Sequence, residues 1–145
     1  MNNPCSEVTT EETGTNVLQP EIFVFGSNLS GIHGAGAAKA ALDKWGAQFN
    51  NGLGFQGNSY AIPTKDERVQ TLDIETVKVF VRAFLAFAFQ HTETKFLITR
   101  IGCGLAGFKD EEIAPLFRGA TKNCVFSAAW KEWVSPKATF DERLF

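Results

Sequence analysis

The chain has 145 residues, 44% of them apolar and 21% charged, with a formal net charge of −2. That length suits one domain with a real core, and the acidic balance argues against capture of nucleic acid by overall charge. Three cysteines (Cys5, Cys103, Cys124) and two histidines offer neither a disulfide framework nor zinc-ligand spacing, and no apolar stretch is long enough to span a bilayer.

Residues 1–19 are polar and rich in Thr, Glu and Asn, so they read as a poorly ordered lead-in without the layout of a secretion signal. The expectation is a single domain over 20–145 in a cytoplasmic setting with reduced thiols, no membrane attachment, no metal and no cofactor. Ile22-Phe23-Val24-Phe25 is a short continuous apolar run, as in a strand covered on both faces. A glycine-rich loop follows, and residues 34–45 form a small-residue helix whose alanines allow close approach to a sheet, with Gly46 at its end. Residues 52–57 read as a glycine-rich turn region, and Ser59-Tyr60-Ala61-Ile62 as a strand stopped by Pro63.

The clearest helix spans 73–90, where Ile74, Val77, Val81, Phe84, Leu85 and Ala88 repeat at three-and-four spacing. Asp73 is placed as its N-cap, with Leu72 and Val77 as a hydrophobic staple. A strand over 95–100 feeds a second glycine loop. Asp110-Glu111-Glu112 then opens a helical segment whose regular part is expected to begin at Pro115. A last strand falls at 123–127, and Trp130, Trp133, Phe140 and Phe145 make the tail aromatic enough to pack back on the domain or on a partner. Strand, loop and helix alternate, so a layered α/β fold with a largely parallel central sheet is expected.

Both glycine loops follow strands, and in parallel sheets ligands bind outside the carboxyl ends of the strands. The first is Gly26-Ser27-Asn28-Leu29-Ser30-Gly31-Ile32-His33-Gly34-Ala35-Gly36. It is not a P-loop, for no Gly-Lys-Ser/Thr follows, and Lys39 stands where a dinucleotide fingerprint needs a third glycine. What remains is a glycine pair opening a helix, which fits either an anion-binding turn or close helix–sheet packing. The second is Arg100-Ile101-Gly102-Cys103-Gly104-Leu105-Ala106-Gly107. Two such loops at strand ends suggest a cleft whose backbone N–H groups surround a diphosphate.

Asn28 followed by Gly34-Ala35-Gly36-Ala37 resembles the macrodomain pattern, in which an Asn after the first strand precedes a Gly-x-Gly-Val loop. Arg100-Ile101-Gly102-Cys103-Gly104-Leu105 is similar to the second loop of the terminal ADP-ribose protein glycohydrolase branch, and Ile62-Pro63-Thr64-Lys65 resembles that branch's Ile-Thr-Lys segment. Small macro-like proteins of bacterial and phage genomes look similar as well, and the resemblance runs over 22–127. It implies a three-layer α/β fold with a mixed, largely parallel sheet between helices. It also implies that ADP-ribose or a related nucleotide is the partner, carried on a protein or nucleic-acid acceptor if the protein is an enzyme. Asn28 would then contact the distal ribose, while the backbones of Gly34, Ala35, Gly36, Ala37, Gly102, Cys103, Gly104, Leu105 and Ala106 would hold the diphosphate.

The chain departs from that branch in having Ala106 where the branch places its catalytic Asp, and Ala38 where other macrodomains carry an acid in the first loop. No convincing counterpart of the adenine-anchoring Gly-Asp-Ile precedes Ile22. Lys65 would be the nucleophile of an ADP-ribosyl hydrolase, attacking an anomeric carbon, and Asp66 or Asp110 would transfer the proton; Lys65-Asp66-Glu67-Arg68 reads equally well as a solvated, charged loop. The alternatives are a non-catalytic reader or sequestering module, and a thiol enzyme in which His33 activates Cys103. Phe108 stands either over a ribose or base, or in the core.

Overall fold

A computed structural model describes residues 20–135 and 138–144; the lead-in expected over 1–19, Cys5 and Phe145 lie outside these. The first apolar run becomes β1, Glu21–Asn28, and its neighbours Val24 and Phe25 are both fully buried although they point to opposite faces. That is the burial of a central parallel strand. β2 (Gly54–Gln56), β3 (Ser59–Lys65), β4 (Lys95–Ile98), β5 (Cys124–Ser127) and β6 (Thr139–Asp141) complete a six-stranded sheet of order β2-β3-β1-β4-β5-β6. Every pairing is parallel except that of β2 with β3.

Helices cover both faces, giving a three-layer α/β fold. α1, Gly36–Lys44, lays Ala38 and Ala41 on Phe25 and Ala61, where small side chains let helix and sheet approach closely. α2, Ile74–Gln90, covers the other face with Val77, Val81, Phe84 and Ala88, packed among Ile22, Val24, Ile62 and Phe96. Phe84 meets Tyr60 and Phe96 edge-on at centroid distances of 5.0 and 5.3 Å, a favoured aromatic geometry. Asp73 caps α2 as expected, its Oδ1 accepting the Thr76 N–H at 2.9 Å.

Three details differ from the sequence reading. Pro63 does not stop β3: β2 reaches only to Ala61 along β3, so Pro63 lies where one edge of the strand is free and a missing N–H is tolerated. A helical turn, α3 (Asp110–Ile113), precedes Pro115, which sits in the first turn of a 3-10 helix over Ala114–Phe117 instead of starting a regular helix. β2 and β6 are strands of three residues each, too short to show a period of two. The aromatic tail does pack back: Trp130 is fully buried and Phe140 rests on Phe126.

Candidate functional site

Because β1, β3 and β4 are parallel neighbours, the loops after them emerge side by side. They enclose a cleft of about 500 Å³ lined by Ser27, Asn28, residues 34–38, Thr64, Lys65, and residues 99–106 among others. Lys65 and Arg100 are the charged side chains among its lining residues, in a chain whose net charge is −2. Two strand spacings, roughly 10 Å, separate β3 from β4, so the chain segments that carry Lys65 and Arg100 leave the sheet on either side of β1.

The first loop is held by its own polar side chains. The Asn28 carboxamide oxygen accepts from Ser30 Oγ at 2.8 Å and from the Ile32 N–H at 2.9 Å, while Nδ2 donates to the Ile32 carbonyl at 2.8 Å. Three of the four hydrogen-bonding positions of the amide are thus spent on the loop, and one N–H is left for a ligand. His33 is buried and its Nε2 lies 2.9 Å from the Gln48 carbonyl and 3.1 Å from that of Asn51, so Nε2 carries a proton. Beneath it, Gly31 (φ 75°) and Gly52 bring two backbone segments so close that a Cβ at either would overlap main-chain atoms of the other side. The loop delivers α1 with Ala35 at its N-cap, no side-chain cap bond and no acidic residue in its first turn. Gly36, Ala37 and Ala38 of its first turn line the cleft, and no side chain caps their N–H groups at the positive end of the helix dipole.

The second loop is held by charge. Arg100 Nε and Nη2 donate to the two oxygens of Asp110 at 2.8 and 2.7 Å, and the Trp130 indole N–H donates to Asp110 Oδ1 at 2.8 Å. These bonds, the Arg100 one foremost, hold the Asp110 carboxyl below the usual range. The Phe108 N–H donates to the Gly102 carbonyl at 2.9 Å and the Gly107 N–H to that of Gly104 at 3.0 Å. The amides of Gly104, Leu105 and Ala106, consecutive in the loop, have no acceptor among the described residues. Thr71 Oγ1 donates to the Ala106 carbonyl at 2.9 Å and ties the loop to the segment after β3.

The structure gathers Asn28, Gly34, Ala35, Gly36, Ala37, Lys65, Gly102, Cys103, Gly104, Leu105 and Ala106 around one cleft. It does not bring the two carboxylates there. Asp66 Oδ1 accepts the N–H groups of Arg68 and Gln70, both at 2.9 Å, and closes the turn after β3. Asp110 is committed to Arg100 and Trp130 and is not among the residues that line the cleft. Phe108 packs beneath Gly102 with the core and does not line the cleft. The Cys103–His33 pair of the alternative thiol-enzyme reading is not assembled: His33 serves carbonyls 48 and 51, and Cys103 Sγ–H points to the Ile101 carbonyl at 3.5 Å. Burial first, and the neighbouring Asp110 carboxylate second, push the Cys103 thiol up to about 12.

Sequence reasoning named Leu105 for its backbone alone and did not foresee an apolar mouth to the cleft. Ile32, Val69 and Leu105 come from three different loops and stand exposed there. Val69 does so at φ 63°, a conformation that a β-branched residue rarely adopts. Its strain comes from the turn closed by Asp66, and the Asp66-Glu67-Arg68 charges that precede it gave the segment the look of an ordinary solvated loop.

Neither a protein-family model nor a curated protein matches the chain. Among solved structures it is similar to a protein of unknown function from Bacteroides thetaiotaomicron, with a TM-score of 0.53 and 17% identity over 88% of this chain and 89% of that one. At that identity the likeness speaks for the shared α/β architecture.

Proposed function

We propose that the cleft binds ADP-ribose or a closely related nucleoside diphosphate sugar, on a macrodomain-like fold. The observation that carries this reading is the pair of N–H rows without an acceptor among the described residues, at the start of α1 and at residues 104–106, on residues that line one cleft together with Lys65. Backbone donors so arranged suit phosphate oxygens, and two rows suit two phosphates. Calorimetric titration tests it. ADP-ribose is expected to bind at least about tenfold more tightly than AMP, whose single phosphate engages one row only. No binding of ADP-ribose refutes the reading.

A second reading, hydrolysis of an ADP-ribosyl linkage, is favoured by Lys65, whose side chain lines the cleft and has no ion-pair partner among the described residues. Against it, amine attack on an anomeric carbon needs a proton-transfer group, and both Asp66 and Asp110 are spent on loop structure. Binding is therefore the better supported function. Release of ADP-ribose from a modified protein, lost in Lys65→Ala, would restore the hydrolase; absence of turnover in the parent leaves a binding module.

A further inference from the structure

The cleft's neutral polar side chains are already engaged with the protein. Ser27 Oγ donates to the Gly52 carbonyl at 2.5 Å, Thr99 Oγ1 to that of Val24 at 2.8 Å, and Thr64 Oγ1 to that of Ser27 at 3.4 Å. Asn28 keeps one N–H, and the Cys103 thiol is turned to a carbonyl. What the cleft offers a ligand is of two kinds. Its floor offers backbone N–H groups and the Lys65 cation, Arg100 being paired with Asp110, and its mouth offers the apolar side chains of Ile32, Val69 and Leu105, which are 47%, 42% and 74% exposed. The strained backbone at Val69 holds one of those side chains at the mouth in spite of its cost.

From this division we infer, resting on the reading of the cleft as a diphosphate site, that the protein recognises nucleoside diphosphates without regard to the base. The diphosphate is fixed by the floor, and the planar base lies on the apolar mouth. Contact with an apolar surface rewards any base, since every base has a π-face. Discrimination among bases rests instead on hydrogen bonds to their edges, and losing one good pair of such bonds costs roughly 1–3 kcal/mol. The mouth's three side chains make none.

The test is calorimetric titration of the parent protein and Leu105→Ala with ADP, GDP and UDP, with ADP-ribose as reference and inorganic pyrophosphate as a base-free probe. Leu105 is so exposed that its truncation leaves the fold intact. The three nucleotides are expected to bind within about threefold of one another. Leu105→Ala should weaken all three by a similar factor of about three to ten and leave pyrophosphate unchanged. With ADP-ribose bound, a preference above about tenfold for one base overturns base independence alone. So does failure of all three nucleotides to bind, or a Leu105→Ala variant that binds them as the parent does. If ADP-ribose itself does not bind, the diphosphate reading falls, and this one with it.

Discussion

The two loops that form the cleft do the same geometric work by opposite means. The first is fixed by neutral groups: Asn28 and His33 satisfy loop carbonyls and amides, and glycines at 31 and 52 let two main chains touch. The second is fixed by an ion pair, Arg100 with Asp110, buttressed by Trp130. Close packing of backbone tolerates no added atom, whereas a part-solvated ion pair is worth little and depends on pH. The first loop is accordingly the rigid wall of the cleft, and the second is the one that conditions can loosen.

The largest effect should follow from filling the backbone contact. In Gly52→Ala the new Cβ overlaps the Asn28 carbonyl, and the neighbours that must give way are main chain. The variant is expected to lose roughly 3 kcal/mol or more in urea unfolding, and to lose ligand affinity because Asn28 and the start of α1 move together. In the second loop, Gly104→Ala places its Cβ in open space. It should stay within about 0.5 kcal/mol of the parent. Equal losses for the two variants would remove the contrast between the loops.

That contrast also explains what could be read in the sequence. Asp73 capping α2, the burial of Val77, Val81, Phe84 and Ala88, and the parallel β1, β3 and β4 rest on local chemistry and period, and these are visible in one dimension. The glycine loops were visible for the same reason. The role of Asp110 was not, since its pairing with Trp130 spans twenty residues and depends on a tail that folds back. Asp66 looked free beside Lys65 because a side chain accepting two amides of its own turn leaves no mark on spacing. The apolar mouth was invisible too: Leu105 was named for its backbone alone, and Ile32 and Val69 share no segment with it, so only the sheet order brings their side chains together.

An intermediate effect is expected in the second loop. Asp110→Asn keeps the shape and the acceptor for Trp130 but removes the charge facing Arg100. Arg100 and Asp110 side chains are 36% and 21% exposed, so solvent screens the pair, and the loss at pH 7 should be about 1–2 kcal/mol. The folded carboxyl titrates below its ordinary value. Its contribution is therefore complete above the unfolded value of about 4 and disappears as pH falls through the lower folded value. The stability gap between parent and Asp110→Asn, measured by urea unfolding across pH 7 to 2, should close at the acid end. A gap constant with pH would show that shape, not charge, holds the loop.

The smallest effect concerns Cys103, and its smallness is informative. A nucleophilic cysteine needs a lowered pKa, supplied by a nearby cation or base. Here burial and the Asp110 carboxylate act the other way and hold the thiol at about 12, while the imidazole of His33 is tied to carbonyls of its own wall. At pH 8 almost no thiolate is present, so iodoacetamide should label Cys103 at least about a hundredfold more slowly than a cysteine in an unstructured peptide. Cys103→Ser should change ligand affinity by less than about twofold, because the second loop offers the ligand its amides, and the substitution leaves those in place. Fast labelling, or loss of binding in Cys103→Ser, would mean that the thiol faces the ligand, and the second loop would then be a chemical wall of the cleft instead of a cradle.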